Sequence, residues 1–355
     1  SGKLSEAFFK YMEEVLKYGE NVQKQHIDHS SAGGRIVEDI TNKNFLSEII
    51  ATVVYSHHGL QDCINMSSGE TLSANRRQKD IDYKTVTDRY FQIIDKQKFY
   101  EYLKKAQADI ACLYKHITDF CKKTENKQLN CGNKEFYLGM VERLLLSLLI
   151  DSDWTDTASF FQKDALPESI SDAQRQAVWK KSIKCFEEYM NRLCEKNEKS
   201  PLDGYRSEIS DLCLAASKRE KSLYRLTVPT GAGKTLSGLR FALYHADKYH
   251  KKHIYYVAPY TSILEQNAEE IRKAVGTRAY VLEHHCNISH ENETEERKYR
   301  ELTERWDTEI IATTAVQILN ALFSAQKSSI RRMYNLCNSV IIFDEVQALP
   351  TRCIE

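Results

Sequence analysis

The spacing of apolar residues divides the chain into two parts. From residue 4 to about 195, apolar positions recur at the spacing of one face of a helix. Examples are Phe8, Met12, Val15 and Leu16, and later Tyr137, Met140, Leu144, Leu145 and Leu148. This pattern predicts an all-α region. Two polar stretches within it, residues 66–82 and 122–134, are predicted to be surface loops.

After the polar stretch 194–204, short β-branched or aromatic runs alternate with helical segments. The predicted strands are residues 224–228, 254–258, 279–283, 309–313 and 339–343, and the helices between them include 234–249 and 261–275. This alternation is typical of βαβ units and a parallel sheet. The sequence therefore predicts a multidomain protein, with an all-α domain over residues 1–198 and an α/β parallel-sheet domain over residues 199–355.

Composition adds little to this picture. Lysine plus arginine and aspartate plus glutamate each number 50, so any nucleic-acid contact has to come from local basic patches. The ten cysteines form no CxxC pair, which argues against a zinc ribbon and favours a reducing cytoplasm. No run of about 18 apolar residues and no leader-like N-terminus is present, so we expect a cytoplasmic protein with no membrane contact.

The stretch "LTVPTGAGKT", residues 226–235, joins a predicted strand to a predicted helix through a glycine-containing turn. In such a turn, backbone amides and a helix N-terminus bind phosphate, a lysine reaches the outer phosphates and a hydroxyl binds Mg²⁺. The longer GxxxxGKT pattern is not met, because Val228 occupies its first glycine position. The predicted ATP-binding residues here are Thr230, Gly231, Ala232, Gly233, Lys234 and Thr235.

A second motif, which is acidic, supports the same nucleotide-binding site. In "SVIIFDEVQALP", an apolar strand ends in Asp344 and Glu345. The carboxyl edge of a parallel sheet is where ligands bind, so Asp344 is predicted to hold Mg²⁺ together with Thr235, and Glu345 to orient the attacking water. Lys234, Asp344 and Glu345 are the predicted catalytic residues, although a solvated acidic strand end would also fit the motif taken alone.

Four motifs in order resemble a known family. "PTGAGKT", "VAPYTSILEQN" at 257–267, "ATTAVQILNALF" at 312–323 and "DEVQALP" at 344–350 resemble motifs of superfamily 2 helicases. Together with "VLEHH" at 281–285, the residues of these motifs resemble those of the CRISPR-associated helicase-nuclease of type I interference systems. The resemblance implies that residues 199–355 form the first RecA-like helicase lobe, with ATP and Mg²⁺ as cofactors.

The resemblance also implies positions along a bound DNA strand. These are Pro259, Thr261, Ser262, Thr313, Thr314 and Gln317. Hydroxyls, amides and helix N-termini at strand ends bind phosphate without reading sequence, although Thr261 and Thr314 could equally be helix caps. Arg206, upstream of the phosphate loop, is a candidate for recognising adenine, and an ordinary exposed arginine is the alternative.

Metal-ligand residue types occur at three places in the helical half. They are "HIDHSSAGG" at 26–34, "SHHGL" at 56–60 and "LIDSDWTDT" at 149–157. Histidine with carboxylate suits divalent transition metals, although each histidine taken singly is more often structural. The same family begins with an HD-type metal nuclease, and the resemblance implies His29, His57, His58 and Asp153 as ligands of Mn, Co, Ni or Fe, with Asp151 as the alternative to Asp153.

Both ends of the chain differ from the family pattern. "SGKLSEAF" matches the residues just after the family's His-Asp dyad, so Lys3 is the remaining nuclease-supporting residue and the dyad is expected to be absent. The sequence also stops at Glu355, shortly after "DEVQALP". We therefore expect an impaired fragment without a second lobe, which binds ATP weakly and does not unwind DNA.

The resemblance implies that the parent protein is an ATP-dependent 3′-to-5′ single-strand DNA translocase fused to a metal-dependent nuclease. Its implied partners are the displaced DNA strand of an R-loop and a Cascade-type guide-RNA surveillance complex. Two alternatives remain open at this point. One is a general DNA-repair or RNA helicase with a helical extension, and the other is a non-catalytic docking fragment.

Overall fold

The computed structural model describes residues 6–18, 30–125, 134–162, 170–196, 201–219, 223–277, 280–285, 303 and 305–349. By internal packing, the chain divides into two compact units, residues 1–157 with 325–330 and residues 158–324 with 331–355. The described part of the first unit consists of helices joined by turns, with one isolated bridge between Ile64 and Thr71, and the second unit contains a parallel sheet with helices. This agrees with the predicted succession of an all-α part and an α/β part.

Seven helices begin in the described part of residues 1–157, which belong to the first unit. They are α1 (Glu6–Tyr18), α2 (Ser30–Ile40), α3 (Phe45–Ser56), α4 (Leu72–Gln78), α5 (Tyr83–Ile93), α6 (Lys96–Glu125) and α7 (Lys134–Gln162). Helices α2 and α3 pack closely, because Gly34 faces the Tyr55 ring. A Cβ atom built on Gly34 would lie 2.1 Å from that ring, so only glycine allows this approach.

The stretch 66–82, predicted to be a surface loop, contains helix α4. The Thr71 side chain accepts a hydrogen bond from the amide of Ala74 at 3.2 Å and so caps the helix. Leu72 and Arg76 on this helix are both buried. Of the second predicted loop, 122–134, helix α6 takes the part up to Glu125, and residues 126–133 lie outside the described residues.

The second unit has further helices and a four-stranded sheet. Its helices are α8 (Asp172–Lys196), α9 (Asp203–Ser217), α10 (Lys234–Lys248), α11 (Thr261–Val275) and α12 (Ala315–Phe323), and the short helix α13 (Lys327–Arg331) lies at the boundary between the units. The strands are β1 (Ile254–Ala258), β2 (Val281–His284), β3 (Ile310–Thr314) and β4 (Val340–Phe343). Two 3-10 turns, Met333–Leu336 and Val346–Ala348, flank β4.

All strands of this sheet run parallel, in the order β2-β3-β1-β4. Strand β1 is buried on both faces, which explains its continuous apolar composition. Tyr256 packs in a core with α8, α10 and α11, and Tyr255 packs on the opposite face against Trp306 and the α12 side. The predicted strands at 254–258, 279–283, 309–313 and 339–343 therefore correspond to β1–β4, within a few residues at their ends.

The predicted strand 224–228 is absent from this sheet. Residues 223–229 carry no strand pairing, and Leu223 and Leu226 are exposed. Strand β4 is the edge of the described sheet, and its residues and the 223–228 segment border one cavity of about 920 Å³. An apolar run becomes a strand only when a neighbour lies at pairing distance, and this run has the composition of a strand without that neighbour.

Helix α8 packs with the sheet, so the second unit begins before the predicted boundary at 198–199. Trp179 and Phe186 of α8 are fully buried in the same core as Leu243 and Ile254. The indole Nε1 of Trp179 also donates a hydrogen bond to the carbonyl of Lys251 at 3.0 Å. The helical periodicity of α8 resembles that of the preceding region, so sequence spacing alone cannot show which unit it joins.

Replacing Trp179 with alanine tests this assignment of α8. We expect Trp179→Ala to lower the free energy of unfolding by roughly 3–5 kcal/mol, because it removes a fully buried indole and leaves a cavity. The measurement is urea unfolding followed by circular dichroism. Lys180→Ala changes the exposed next residue of the same helix and should stay within about 0.5 kcal/mol of wild type. Equal effects of the two variants would contradict the assignment.

Candidate nucleotide-binding site

The turn before helix α10 has the backbone of a phosphate-binding loop. Gly231 and Gly233 have φ values of 81° and 82°, which favour glycine over residues with a Cβ atom. The amide of Ala232 donates to the carbonyl of Pro229 at 3.3 Å and closes the turn. Gly233 is the N-cap of α10 and provides no side-chain cap, so the first amides of the helix are available to an anion.

Lys234 and Glu345 meet at this turn, although 111 positions separate them. The ammonium Nζ of Lys234 lies 3.0 Å from the Oε1 of Glu345, and both side chains are about one third exposed. The hydrogen bond from Lys234, followed by one from Gln347, lowers the pKa of the Glu345 carboxyl. Glu345 is therefore ionised beside the loop, and the two predicted motifs share one place.

A chain of hydrogen bonds links Thr235 to Asp344. The Thr235 hydroxyl donates to Oδ1 of Asn267 at 3.3 Å, and Nδ2 of Asn267 donates to the hydroxyl of Tyr256 at 2.9 Å. That hydroxyl donates to Oδ2 of Asp344 at 2.5 Å. Burial, and then the bond to Asp344, raises the pKa of Tyr256, so the phenol stays protonated and remains a donor.

Glu345 has an unusual backbone conformation. Its φ of 48° and ψ of 49° lie in the left-handed region, which costs free energy for a residue other than glycine. The amide of the preceding Asp344 donates to the carbonyl of Val257 at 2.8 Å, which extends the β1–β4 pairing by one residue. The chain therefore turns sharply at Glu345 and directs its carboxylate toward Lys234.

Arg206 contacts the phosphate loop directly. Its Nε donates to the carbonyl of Gly231 at 3.0 Å, and its NH1 pairs with Asp203 at 3.1 Å on the same helix, α9. Its side chain is exposed. The structure thus places Arg206 beside the loop, and its role with adenine stays a prediction.

Pro259, Thr261 and Ser262 lie where the chain leaves β1 and enters α11. Tyr260, rather than Thr261, is the N-cap residue of α11, and it makes no side-chain cap hydrogen bond. Ser262 is exposed, and Pro259 and Thr261 are partly exposed. In the structure, therefore, Thr261 is not the N-cap residue of α11.

Thr313, Thr314 and Gln317 follow the end of β3 in different environments. Thr313 is fully buried, and its hydroxyl donates to the carbonyl of His284 at 2.9 Å. Thr314 is the N-cap residue of α12, yet its side chain makes no cap hydrogen bond. The Oε1 of Gln317 accepts from Arg332 at 3.2 Å. Thr313 therefore joins β3 to β2 beneath the surface, in contrast to its predicted position along a DNA strand.

His284, at the end of β2, is held neutral. Burial, together with the nearby Arg332 and His285, lowers its pKa to about 3. Its Nδ1 accepts a hydrogen bond from the indole Nε1 of Trp306 at 3.0 Å. This contact fixes Trp306 beneath β2 and β3.

The predicted metal ligands of the helical unit are only partly within the described residues. The rings of His57 and His58 lie 3.9 Å apart at the end of α3, and Nδ1 of His57 is 2.7 Å from the carbonyl of Val54. Within the described ranges, these histidines, Asp151 and Asp153 do not form a group of three ligand atoms close enough for one ion. His29 and Lys3 lie outside the described residues.

Arg76, absent from the sequence predictions, ties two of the metal motifs together. Its buried guanidinium donates to the hydroxyls of Ser30 and Ser31 at 3.2 and 3.3 Å, at the start of α2. It also donates to the carbonyl of Tyr55 at 3.1 Å and to Gln61 at 3.0 Å. One side chain thus binds residues that lie within a few positions of His29 and His57. No local sequence motif reveals these contacts.

Removing the hydroxyl of Tyr256, with removal of the Tyr255 hydroxyl as the matched control, tests this hydrogen-bond network. Tyr256→Phe removes the link between Asn267 and Asp344, and we expect a loss of about 1–3 kcal/mol in the free energy of unfolding. Tyr255→Phe should be neutral or stabilising, because the buried Tyr255 hydroxyl has no hydrogen-bond partner among the described residues. Urea unfolding of both variants is the measurement, and a larger loss for Tyr255→Phe would refute the network.

Comparison with known proteins extends these observations. In the described part of the chain, no helix is long and apolar enough to cross a lipid bilayer. The CRISPR-associated nuclease/helicase Cas3 of Haloferax volcanii is 28% identical in an alignment of 187 residues that covers 46% of this chain and 19% of that protein. The crystal structure of T. fusca Cas3-ATP has a TM-score of 0.52 and 13% identity, and the match covers 98% of this chain and 39% of that one.

The chain thus spans about a fifth of its curated relative and about two fifths of the solved chain. At 13% identity, the solved structure shows a shared fold. Residues 170–350, just over half of the chain, match the family described as type III restriction enzyme, res subunit. The matched range begins close to α8 and ends beside Glu345, so it includes the whole candidate site. The chain therefore belongs to the type III restriction enzyme res subunit family and contains a helicase-family domain.

Proposed function

We propose that residues 199–355 act in an ATP-dependent motor that moves along single-stranded DNA in type I CRISPR defence. The single observation that carries this proposal is the meeting of Lys234 and Glu345 at the glycine turn before α10. The sequence relative named Cas3 and the structural neighbour named Cas3-ATP support it. Residues 199–355 are proposed to form the first helicase lobe of such a motor.

The residues at the turn fit a nucleotide triphosphate with Mg²⁺. Amides of Thr230–Gly233 and of the first turn of α10 would bind the phosphate oxygens, and Lys234 would exchange its bond with Glu345 for the outer phosphates. Thr235 and Asp344 would hold Mg²⁺, which when bound neutralises charge on the phosphates. Both already belong to one hydrogen-bonded chain through Asn267 and Tyr256, so a partly buried network fixes their spacing.

Glu345 is proposed to orient the attacking water. The lowered pKa keeps its carboxyl ionised, which a proton acceptor requires. The left-handed backbone at Glu345 is also consistent with a functional position, since such strain persists where the surroundings over-determine it. Arg206 is proposed to support the loop through Gly231 and to face the nucleotide base.

The proposed DNA path follows the ends of β1 and β3. Pro259, Thr261, Ser262, Thr314 and Gln317 would line the path, and Thr313 would support it from beneath. No side-chain cap hydrogen bond forms at α11 or α12. The amides at both helix N-termini are therefore suited to phosphate, which is how proteins hold a strand without reading its sequence.

For the helical unit we propose an HD-type nuclease domain over residues 1–198, excluding the part of α8 that packs with the sheet. The ligands would be His29, His57, His58 and Asp153, with Asp151 as the alternative, for Mn, Co, Ni or Fe. Arg76 supports this proposal because it holds the start of α2 next to the end of α3. Lys3 is proposed to support the nuclease site. The proposed partners are the displaced strand of an R-loop and a Cascade-type surveillance complex, and the proposed location is the cytoplasm.

Nucleotide binding tests the motor proposal. We expect Mg-ATP to bind the wild-type chain in isothermal titration calorimetry, and Lys234→Ala to weaken binding at least roughly tenfold, because one charged contact to the outer phosphates contributes about 1.5–3 kcal/mol. Glu345→Gln should keep or improve binding, since it releases Lys234 and removes a negative charge. In a protein that also carries the second helicase lobe, Lys234→Ala should abolish DNA-stimulated hydrolysis.

Lys251→Ala is the matched control for this experiment. Lys251 borders the same cavity but precedes β1, at the opposite edge of the sheet from Lys234. Its substitution should leave ATP affinity unchanged. Wild-type affinity in Lys234→Ala would contradict the phosphate assignment, and hydrolysis that single-stranded DNA does not stimulate would favour the docking-fragment alternative.

Metal uptake tests the nuclease proposal separately. We expect the chain to take up more Mn²⁺ when it is extended by a His-Asp dyad before Lys3, because each added ligand raises metal affinity. His57→Gln/His58→Gln in the extended chain should remove that increase. Elemental analysis after dialysis is the measurement. No gain from the dyad would favour a helicase with an unrelated helical extension.

A further inference from the structure

Three potential metal ligands meet at the end of β2, and none of them was assigned a role in the sites described above. Nε2 of His285 lies 2.9 Å from Oε1 of Glu283 and 3.7 Å from Oε1 of Glu265. All three ligand atoms lie within 4.8 Å of one another. His285 and Glu283 come from the end of β2, and Glu265 comes from the second turn of α11.

Burial and a neighbouring arginine orient these groups. The His285 and Glu283 side chains are 2% and 13% exposed, so the first two ligands are held in the protein. NH2 of Arg272 lies 2.7 Å from Oε2 of Glu283, which leaves Oε1 on the histidine side. A hydrogen bond to the second oxygen of a carboxylate commonly orients the carboxylate for metal binding.

Of the two adjacent histidines, only His285 faces the carboxylates. Nδ1 of His284 accepts from the indole of Trp306, so that ring packs toward β3. Glu265 is more than half exposed, at 57%, and can rotate toward the histidine. The cluster therefore has two fixed ligands and one adjustable ligand on its solvent side.

We propose that His285, Glu283 and Glu265 bind a divalent transition-metal ion such as Zn²⁺. Ligand atoms around a tetrahedral zinc ion lie roughly 3.4 Å apart, given metal–ligand distances of about 2.0–2.1 Å. The two measured separations lie on either side of that value. One imidazole and two carboxylates suit a first-row ion, and three protein ligands leave a fourth position for water.

Binding requires the lone pair of Nε2, so His285 binds in the tautomer that carries its proton on Nδ1. The cluster brings two carboxylates against one Arg272 guanidinium, and this set of groups favours a dication. The ion would fasten the end of β2 to the start of α11, one turn after Thr261. This inference goes beyond the proposed motor function, and it stands whether or not the chain hydrolyses ATP.

Zinc titration of the full chain tests the site. The background carries His57→Gln/His58→Gln to remove the other candidate metal site, and no nucleotide is added. We expect one Zn²⁺ per chain by calorimetry and elemental analysis. Saturating Zn²⁺ should raise the apparent Tm by roughly 5 °C, because ligand at a hundredfold excess over Kd stabilises the folded state.

Three variants in this background decide the result. His285→Gln and Glu265→Gln should each weaken Zn²⁺ binding at least roughly tenfold and abolish the Tm rise. Glu265 is exposed, so its variant retains the fold even if His285→Gln does not. Glu269→Gln, one turn further along α11 and also next to Arg272, should bind like its parent. No zinc uptake, or uptake unchanged in Glu265→Gln, would overturn the proposal.

Discussion

The parallel pairing of β1 with β3 and β4 determines where the chemistry of this chain lies. Ala258 stands opposite Thr314, and Val257 stands opposite Phe343, so the three strands end at one edge. The residues that follow each strand therefore emerge together. The direction of the strands brings the acidic pair and the proposed DNA path to this edge, and the contact between Lys234 and Glu345 joins the phosphate loop to it. The same edge carries His285 at the end of β2.

A strand buried throughout and a helix buried along one face were predictable because local composition already expresses their environment. Strand β1 and helix α11 have the predicted bounds, 254–258 and 261–275. The run 224–228 has the same β-branched character but no strand neighbour in the structure, so composition could not decide its state. Helix α8 shows the related limit, because helical spacing reports which face is buried and not which core buries it.

The candidate site was predictable where one short sequence motif determines both the functional side chain and the backbone conformation that positions it. Lys234 and Glu345 are of this kind, and the structure places them in contact. Tyr256 and Asn267, which connect Thr235 to Asp344, were missed because their bonds join distant parts of the chain. Arg76 was missed for another reason: a buried arginine is favourable only when its hydrogen bonds are satisfied, and the residues that satisfy it lie up to 46 positions away.

The contact between Lys234 and Glu345 also explains why an unusual backbone can persist at the acidic motif. The amide of Asp344 is fixed on Val257, and its carboxylate is fixed on Tyr256, so the chain has little freedom before it reaches Glu345. The ion pair then compensates part of the cost of the left-handed conformation. Under the proposed function, a phosphate group competes with Glu345 for Lys234. Nucleotide arrival would release the carboxylate next to the position where water is needed, without a large movement of the sheet.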